Sequence, residues 1–257
     1  MTHPNVTYES LKGCPVVVTG GASGIGEFIV RAFFLQGAHV HFLDIDEVKG
    51  RRLESVLLSS DTNNQIHFHH CDLTVEAEIE STFEKIADMT GGISVLCNNA
   101  GNDQRHDWTS ITFEEWDKVQ DHNLKHHFFC TRAAHRHFPS DIGGSVICIG
   151  SISYLNGSDE MVGYTTAKSA LVGLVNILAK LLGHSGTRVN LVQPGWIMTE
   201  KQLDKWINQH ALELINREQL ISQKINPEEV AKLVLFLASD QAKLITKQVI
   251  NIDAGWV

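Results

Sequence analysis

Short runs of Val, Ile, Leu and Phe recur along the chain and alternate with longer segments of helical periodicity. The runs with strand character are CPVVVTG, HVHFLD, IHFHHCD, SVLCNNAG, GSVICIG, RVNLVQPG and QVINIDAG. Nearly continuous apolar strands separated by helices are typical of a parallel sheet whose two faces are both covered by helices. The pattern therefore predicts an α/β fold with a doubly wound parallel sheet of about seven strands and right-handed crossovers.

Two segments carry the clearest helical pattern. Residues 227–238 begin with Pro227 in the first turn, and acidic residues follow beside the positive end of the helix dipole. Residues 162–183 have apolar residues at three- and four-residue spacing, which predicts one apolar stripe formed by Ala167, Ala170, Leu171, Leu174, Ile177, Leu178 and Leu181. Because no Pro-, Gly- or Ser-rich linker interrupts the pattern, we expect residues 1–257 to form a single domain.

Composition narrows the possible partners. The 257 residues are 43% hydrophobic, enough for a sizeable core, and the net charge of −9 disfavours binding to nucleic acid or to anionic lipid. We expect no apolar run to approach the roughly 20 residues of a membrane helix, and the N-terminus lacks the pattern of a secretory signal. Five dispersed cysteines fit reduced, buried thiols. These features predict a cytoplasmic protein without a membrane partner.

A glycine-rich turn follows the first predicted strand. Gly20, Gly24 and Gly26 lie between that strand and a helix, where the backbone can approach a pyrophosphate at the helix N-terminus. Asp44 ends the second strand, near the ~20-residue spacing at which a carboxylate binds the adenosine ribose. A carboxylate there would repel a ribose phosphate, and the turn carries no Lys or Arg, so the pattern favours NAD over NADP. The alternative is an ordinary tight turn with a strand-end Asp.

A possible proton-transfer pair begins the helix predicted over 162–183. Tyr164 and Lys168 are four residues apart and so share one helix face. An ammonium group near a phenol stabilises the phenolate and makes it a better base. Ser151 follows the fifth strand and should lie on the same rim as the glycine turn, because ligands bind beyond the carboxyl ends of parallel strands. A solvated Tyr–Lys surface pair is the alternative.

Together these motifs resemble the short-chain dehydrogenase/reductase family over essentially the whole chain. The matching features are TGGASGIG (19–26), Asp44, CDL (71–73), NNAG (98–101), Asn123, Ser151, the Y-x-x-x-K motif (164–168), and PG (194–195) followed by Thr199. The resemblance implies a Rossmann-type fold, an NAD-dependent oxidoreductase acting on a CH–OH group, and a homotetramer in which the helix over 162–183 packs against its copy.

The resemblance also implies a role for each motif residue. Tyr164 is the expected general acid/base, and Lys168 is expected to hold the nicotinamide ribose and to lower the pKa of the tyrosine. Ser151 is expected to orient the substrate oxygen, and Asn123 to hold a water of the proton relay. Asp72 could receive the adenine amino group. The expected cofactor-binding set is Gly20, Ser23, Gly24, Ile25, Gly26, Asp44, Asp72, Leu73, Asn99, Ala100, Gly101, Tyr164, Lys168, Pro194, Gly195, Ile197 and Thr199.

The residues expected to face the substrate are mostly polar, which favours a hydroxyl-rich molecule such as a sugar. They are Asp103, Arg105, His106, Ser151, Ser153, Asn156, Tyr164, Trp196, Met198 and Gln202, and a helical segment at about 196–222 is expected to cover the substrate. Asp159 is a further polar candidate, whereas Asp107 and Trp108 are expected to turn toward the fold.

Three short stretches are similar to the aldose 1-dehydrogenase group of this family. They are N-D-x-R-H after NNAG, PGW-x-MTE-x-Q (194–202) and the terminal DAGW (253–256). The similarity implies oxidation of the C1 hydroxyl of an aldose, such as L-fucose, arabinose, galactose or xylose, to a lactone. Gln104 departs from the acidic residue expected at that position.

Other interpretations of the sequence remain open. The 14 histidines, densest in HFHH (67–70) and HNLKHH (122–127), form no complete ligand pattern, so no metal site is predicted. Another short-chain dehydrogenase reaction, such as oxidation of a sugar acid or reduction of a ketone, would use the same catalytic residues. A non-catalytic NAD-binding regulator is a third possibility, which the intact catalytic set disfavours. Trp206 and Trp256 are expected to be packing residues.

Overall fold

The computed structural model describes residues 6–60, 64–157 and 159–257, with the side chain of Asp159 outside the described part. Its strands form one parallel sheet in the order β3-β2-β1-β4-β5-β6-β7. Their bounds are β1 Pro15–Thr19, β2 His39–Asp44, β3 Ile66–His70, β4 Val95–Asn98, β5 Ser145–Ile149, β6 Arg188–Pro194 and β7 Val249–Ile252. The predicted seven-stranded parallel sheet is thereby confirmed.

The helices cover both faces of this sheet. Their bounds are α1 Gly24–Leu35, α2 Glu47–Leu58, α3 Glu76–Thr90, α4 Phe113–Gln120, α5 His126–His135, α6 Ser153–Asn156, α7 Val162–Leu182, α8 Glu200–Lys205, α9 Gln209–Glu218 and α10 Pro227–Ala238. Alternate strand residues enter two separate cores, as expected for strands buried on both faces. One core packs the sheet against α1, α2 and α10, and the other packs it against α3, α5 and α7.

The helix predicted over 162–183 is α7, but its predicted apolar stripe needs correction. Ala167, Leu171 and Leu178 are buried against the sheet, whereas Ile177 and Leu181 are 47% and 65% exposed. The apolar residues of α7 therefore occupy two faces, and only one of them meets the core. The helix predicted over 227–238 is confirmed as α10, with Pro227 in its first turn.

The expectation that no segment matches a membrane helix is corrected by the same element. The stretch Val162–Ser185 is long and apolar enough by length and composition, with a mean hydropathy of 1.3. Lys168 within it is only 2% exposed, and the helix packs on the inner strands of the sheet. Its apolarity thus serves, at least on this face, to build the core.

The cysteines are free thiols, as predicted. Cys71, Cys97, Cys130 and Cys148 are buried, and Cys14 is half-buried. Burial raises the pKa of Cys71 and of Cys14 to about 11, so both thiols stay protonated near neutral pH.

Candidate active site

A cavity of about 1630 Å³ runs along the carboxyl ends of the strands. It crosses the point between β1 and β4 where the strand order reverses, which is where ligands bind in open parallel sheets. One end, here called the glycine end, is lined by Gly20, Gly24, Asp44 and Asp72. The other, here called the tyrosine end, is lined by Ser151, Tyr164, Lys168 and residues of α8 and α9.

At the glycine end, the turn between β1 and α1 depends on the absence of side chains. Gly20 and Gly24 have positive φ values of 63° and 57°, which favour glycine. A Cβ on Gly26 would lie 2.0 Å from the Gly20 carbonyl oxygen, so the turn packs directly on α1. Asn99 Nδ2 donates to the Gly20 carbonyl at 2.9 Å and thereby joins the turn to the NNAG segment.

Two carboxylates extend the glycine end. Asp44 accepts hydrogen bonds from the backbone N–H groups of Ala22 and Asp46, both at 3.0 Å. Asp72 accepts from the side chain and backbone of Thr74, and these hydrogen bonds lower its pKa. Asp72 is therefore ionised near neutral pH, and both side chains present acceptor oxygens suited to hydroxyl or amino donors rather than to a phosphate.

At the tyrosine end, three side chains from two elements converge. Lys168 Nζ donates to the Ile149 carbonyl at 2.9 Å and lies 5.6 Å from the centroid of the Tyr164 ring. Ser151 Oγ accepts from the backbone N–H of Ser153 at 3.1 Å. The helical i, i+4 spacing places Tyr164 and Lys168 on one face, and the end of β5 presents Ser151 beside them.

Burial dominates the protonation of this group. It raises the pKa of Tyr164, and Asp103 acts in the same direction, while a hydrogen bond with Ser151 opposes them. Burial also lowers the pKa of Lys168 to about 8. The shift of the tyrosine is opposite to the lowering expected from Lys168, because the loss of solvent around the phenolate outweighs the nearby ammonium.

Asn123 lies in a π-helical turn, Asp121–Lys125, between α4 and α5. Its Nδ2 donates to the carbonyls of Asn102 (3.1 Å) and Val119 (2.9 Å), and its Oδ1 accepts from the Asn102 N–H at 2.8 Å. The side chain therefore fixes the backbone just after NNAG. Its expected part in holding a relay water stays a prediction.

A hydrogen-bond network joins the loop after β4 to α8. The Asp103 carboxylate accepts from Lys201 Nζ and from Gln202 Nε2, and Gln202 Oε1 accepts from Trp196 Nε1 at 2.9 Å. Thr199 caps α8 by accepting from the Gln202 N–H. The network holds α8 over the tyrosine end of the cavity.

Arg105 forms a second wall of the tyrosine end. Its guanidinium pairs with Glu160 and lies 4.1 Å from the centroid of the Trp206 ring and 6.0 Å from that of Trp196. Trp206 was expected only to pack, but it lines the cavity. An indole beside a paired cation gives this wall both an apolar face and hydrogen-bonding edges.

The predicted cofactor residues line the cavity with one exception. Gly26 lies beneath the turn and supports it from outside the lining. The predicted substrate residues that line the cavity are Asp103, Arg105, Ser151, Ser153, Asn156, Tyr164, Trp196 and Gln202.

Four other expectations about side-chain direction need correction. Met198 is buried beside Ile225, and His106 Nε2 accepts from the Gly163 N–H at the start of α7, so both lie outside the lining. Trp108 is 69% exposed, and Asp107 bonds Thr109 at the surface instead of turning toward the fold. For His106, Asp107 and Trp108 the backbone direction after NNAG places the side chain, and for Met198 the backbone direction after β6 does; the local sequence determines neither.

Several lining residues were missed by sequence reasoning. Among them are Lys201, the α9 residues His210, Ala211, Leu214 and Arg217, and the buried His126. His126 had a signal, as part of HNLKHH, and so did His122, which also lines the cavity; that stretch was considered for metal binding alone. Among the residues that the structure describes, no group of three or more His, Cys, Asp or Glu is arranged to hold a metal ion.

Comparison with known proteins agrees with this geometry. A family model described as enoyl-(acyl carrier protein) reductase matches residues 20–257. D-xylose 1-dehydrogenase of Caulobacter vibrioides is 43% identical over 249 residues, covering 97% of this chain and 98% of that protein. A probable galactose dehydrogenase of Rhizobium meliloti is 37% identical over 257 residues, covering 99% of each chain.

A solved structure gives the same result. A short-chain type dehydrogenase/reductase from Mycobacterium ulcerans superposes with a TM-score of 0.92 at 26% identity, covering 98% of this chain and 91% of that one. The protein belongs to the short-chain dehydrogenase/reductase family. It is therefore an oxidoreductase of the class that uses a nicotinamide cofactor, and the predicted family and fold are confirmed.

Proposed function

We propose that this protein oxidises the C1 hydroxyl of a neutral aldose to the lactone, using NAD. The observation that carries the proposal is that Ser151, Tyr164 and Lys168 open into a cavity end walled by Asp103, Gln202 and indole rings. Relatives named D-xylose 1-dehydrogenase and galactose dehydrogenase, each matched over nearly its whole length, support the same substrate class.

The glycine end fits a dinucleotide. A Cβ on Gly20 would lie 2.6 Å from Ala100 Cα, so the glycine turn lies directly against NNAG. Its bare backbone can meet a pyrophosphate at the start of α1. Asp44 and Asp72 present acceptors to a ribose and an adenine amino group, and the Asp44 carboxylate would repel a ribose phosphate. NAD is proposed over NADP on this ground.

The charge of the tyrosine end supports a neutral sugar over a sugar acid or a sugar phosphate. Arg105 and Lys201, two cations beside the predicted substrate residues, are paired with Glu160 and Asp103. An anionic substrate that bound either cation would have to displace its carboxylate. A neutral sugar can instead hydrogen-bond the paired groups and place the C–H face of its ring on Trp196 or Trp206.

The protein's own groups then perform the proton chemistry. When bound, the nicotinamide supplies the hydride acceptor. Ser151 and Tyr164 hold the anomeric hydroxyl, and the Tyr164 phenolate takes its proton. Lys168, placed by its hydrogen bond to Ile149, holds the nicotinamide ribose and favours the phenolate against the burial that raises the pKa of Tyr164.

The covering segment and the assembly complete the proposal. Residues 196–222 contain α8 and α9, and the β-bridge between Ile197 and Ile225 closes the base of this segment beside the cavity. We propose that the segment covers the sugar, that residues 1–257 act as one domain, and that the enzyme works in the cytoplasm as a homotetramer.

A substrate panel tests the proposed reaction. NADH formation is measured with D-xylose, L-arabinose, D-galactose and L-fucose, and with an aldonic acid and an aldose phosphate of matching stereochemistry. We expect turnover of at least one neutral aldose and none of the two anions. Turnover of an acid or a phosphate but of no aldose would overturn the proposal. If no NADH forms with any of the substrates, a non-catalytic role would be favoured.

Replacing the proposed base gives the first prediction. Tyr164→Phe should lower kcat by roughly 10² to 10⁴-fold, because the hydroxyl proton then has no acceptor. Tyr154→Phe is the matched control, since the Tyr154 hydroxyl bonds Gln193 and does not line the cavity. Steady-state kinetics should show the loss only in the first variant, and equal rates for the two would contradict the assignment of Tyr164.

A further inference from the structure

Two adjacent histidines at the start of α5 lack the partners that buried polar groups normally have. His126 and His127 are 1% and 0% exposed, and their ring centroids are 4.3 Å apart. None of their four ring nitrogens makes a hydrogen bond of good geometry among the described residues, although the backbones of Ala100 and His122 approach the His126 ring. A buried polar atom without a partner in the protein points to a bound water or ligand, since leaving it unpaired is destabilising.

Only one of the pair can meet such a partner in the cavity. His126 is part of the cavity wall together with Ala100 and Lys168, whereas His127 is not. Both rings are buried, and no ring nitrogen of either makes a hydrogen bond of good geometry among the described residues. Position on the cavity therefore distinguishes His126, and it makes His127 a natural control.

His126 also lies within the electrostatic reach of Lys168. Burial and then the charge of Lys168 lower the pKa of His126 to about 3, and the Ala100 carbonyl opposes them. The imidazole is therefore neutral at working pH, with one nitrogen donating and the other accepting. The titratable groups that face it are Lys168 from α7, His122 from the preceding π-helical turn and His127 on its own helix.

Lys168 has donors to spare on this side. Its described hydrogen bond is the one to the Ile149 carbonyl, which uses one of three N–H groups. A Cβ on Gly101 would lie 3.4 Å from Lys168 Nζ and 3.1 Å from Asn123 Oδ1, so the glycine keeps the space beside the ammonium free of a side chain. A water there could accept from Lys168 and bond His126.

Beyond His126, the cavity wall leads outward. His122, one helical turn earlier, and Asp121 both line the cavity, and His122 is exposed to solvent. His122 Nδ1 bonds the Lys118 carbonyl, which fixes its ring at the end of α4. The cavity wall from Lys168 past His126 thus ends at the solvent-exposed His122.

We propose that His126 carries the catalytic proton from the Lys168 side of the site to solvent. This proposal rests on the proposed role of Tyr164 as base. After each oxidation the Tyr164 O–H bond breaks, and the proton passes by the Lys168 ammonium and its water to one imidazole nitrogen. As that N–H bond forms, the opposite N–H bond breaks and releases a proton to water near His122. One proton leaves per turnover, and no electrons move in the relay.

The test compares His126→Ala with His127→Ala. We expect kcat of the His126 variant to fall roughly 100-fold, the lower end of the contribution of a positioned proton carrier. Added imidazole should restore its rate, because the vacated volume adjoins the cavity. His127→Ala should keep the wild-type kcat and show no response to imidazole. The Kd of NAD, measured by fluorescence titration without substrate, should be unchanged in both variants.

The outcomes separate the relay from the proposed function. If Tyr164→Phe is slow but His126→Ala matches His127→Ala, or is slow without rescue by imidazole, the relay is overturned and the base stands. If Tyr164→Phe keeps the wild-type rate, the proposed function fails. Should His126→Ala fail to fold, His126→Gln is measured instead. Its amide bonds water but does not exchange protons between its ends, so a wild-type rate would overturn the relay.

Discussion

Asp44 is held in place by two backbone N–H groups, and its carboxylate therefore meets the glycine end of the cavity in a fixed orientation. Asp44→Ala should raise the KM for NAD by about 10- to 100-fold, the value of one or two hydrogen bonds to a charged acceptor. It should also raise kcat/KM for NADP, because the repulsion of a ribose phosphate is removed. Steady-state kinetics with both nucleotides measure the change.

Asp44→Asn is the matched control for this prediction. It keeps the size of the side chain and an acceptor for the Ala22 N–H while removing the charge. The NADP rate should rise in this variant too. An unchanged ratio of NAD to NADP use in both variants would show that Asp44 does not select the nucleotide.

The sequence predicts residues well where a motif ties chemistry to a strand end. Asp44, Ser151 and Tyr164 all line the cavity as expected, because strand ends and helix spacing alone place them. The hydrogen-bond partners of Asp103 could not be predicted from strand ends or helix spacing. Lys201 lies 98 positions away along the chain, and the two meet only because β6 directs α8 over the loop after β4.

Strands β2 and β3 carry a buried histidine pair that should make the fold sensitive to acid. His41 Nδ1 and His69 Nε2 are 3.0 Å apart, and burial lowers their pKa values to about 3 and about 4. Because the folded-state values lie below the unfolded value of 6.5, this pair contributes stability that is present above pH 6.5 and is lost as pH falls toward 4.

The prediction is a steeper fall in stability for the wild type than for a variant without the pair. At about pH 5, each histidine should cost on the order of 1–2 kcal/mol in the free energy of unfolding relative to neutral pH. His41→Leu with His69→Leu should flatten this slope. Urea unfolding at several pH values measures it, and parallel slopes in the two proteins would contradict the account.

The sequence predicted the helices and strands themselves, but not which of their faces are buried in the core and which are exposed. The long helix and α10 were placed within a residue or two, because periodicity and Pro227 mark them directly. The exposure of Ile177 and Leu181 was not predicted. An apolar stripe shows that a face is covered by something, but it does not distinguish the core of one subunit from the surface of another.

The exposed apolar face of α7 bears on the whole molecule. Ile177 and Leu181 lie on the face that the family resemblance assigns to packing between subunits, and Phe128 on α5 is also 38% exposed. Burying such residues between copies is favourable at about 25 cal/mol per Å² of apolar surface. We therefore expect a homotetramer in solution.

Charge on that face should separate the subunits. Leu181→Glu with Ile177→Glu should lower the mass measured by size-exclusion chromatography with light scattering. Leu58→Glu, which changes an equally apolar and exposed position on α2, should not. A monomeric wild type, or an unchanged mass in the double variant, would refute the proposed interface.

The central claim is that the chain moves a hydride from C1 of an aldose to NAD. The most direct measurement uses the best aldose of the panel with deuterium at C1 and examines the products by NMR. The account predicts that the label appears on the nicotinamide ring of the NADH and is absent from the lactone. Unlabelled NADH, with the deuterium retained in the sugar product, would contradict it.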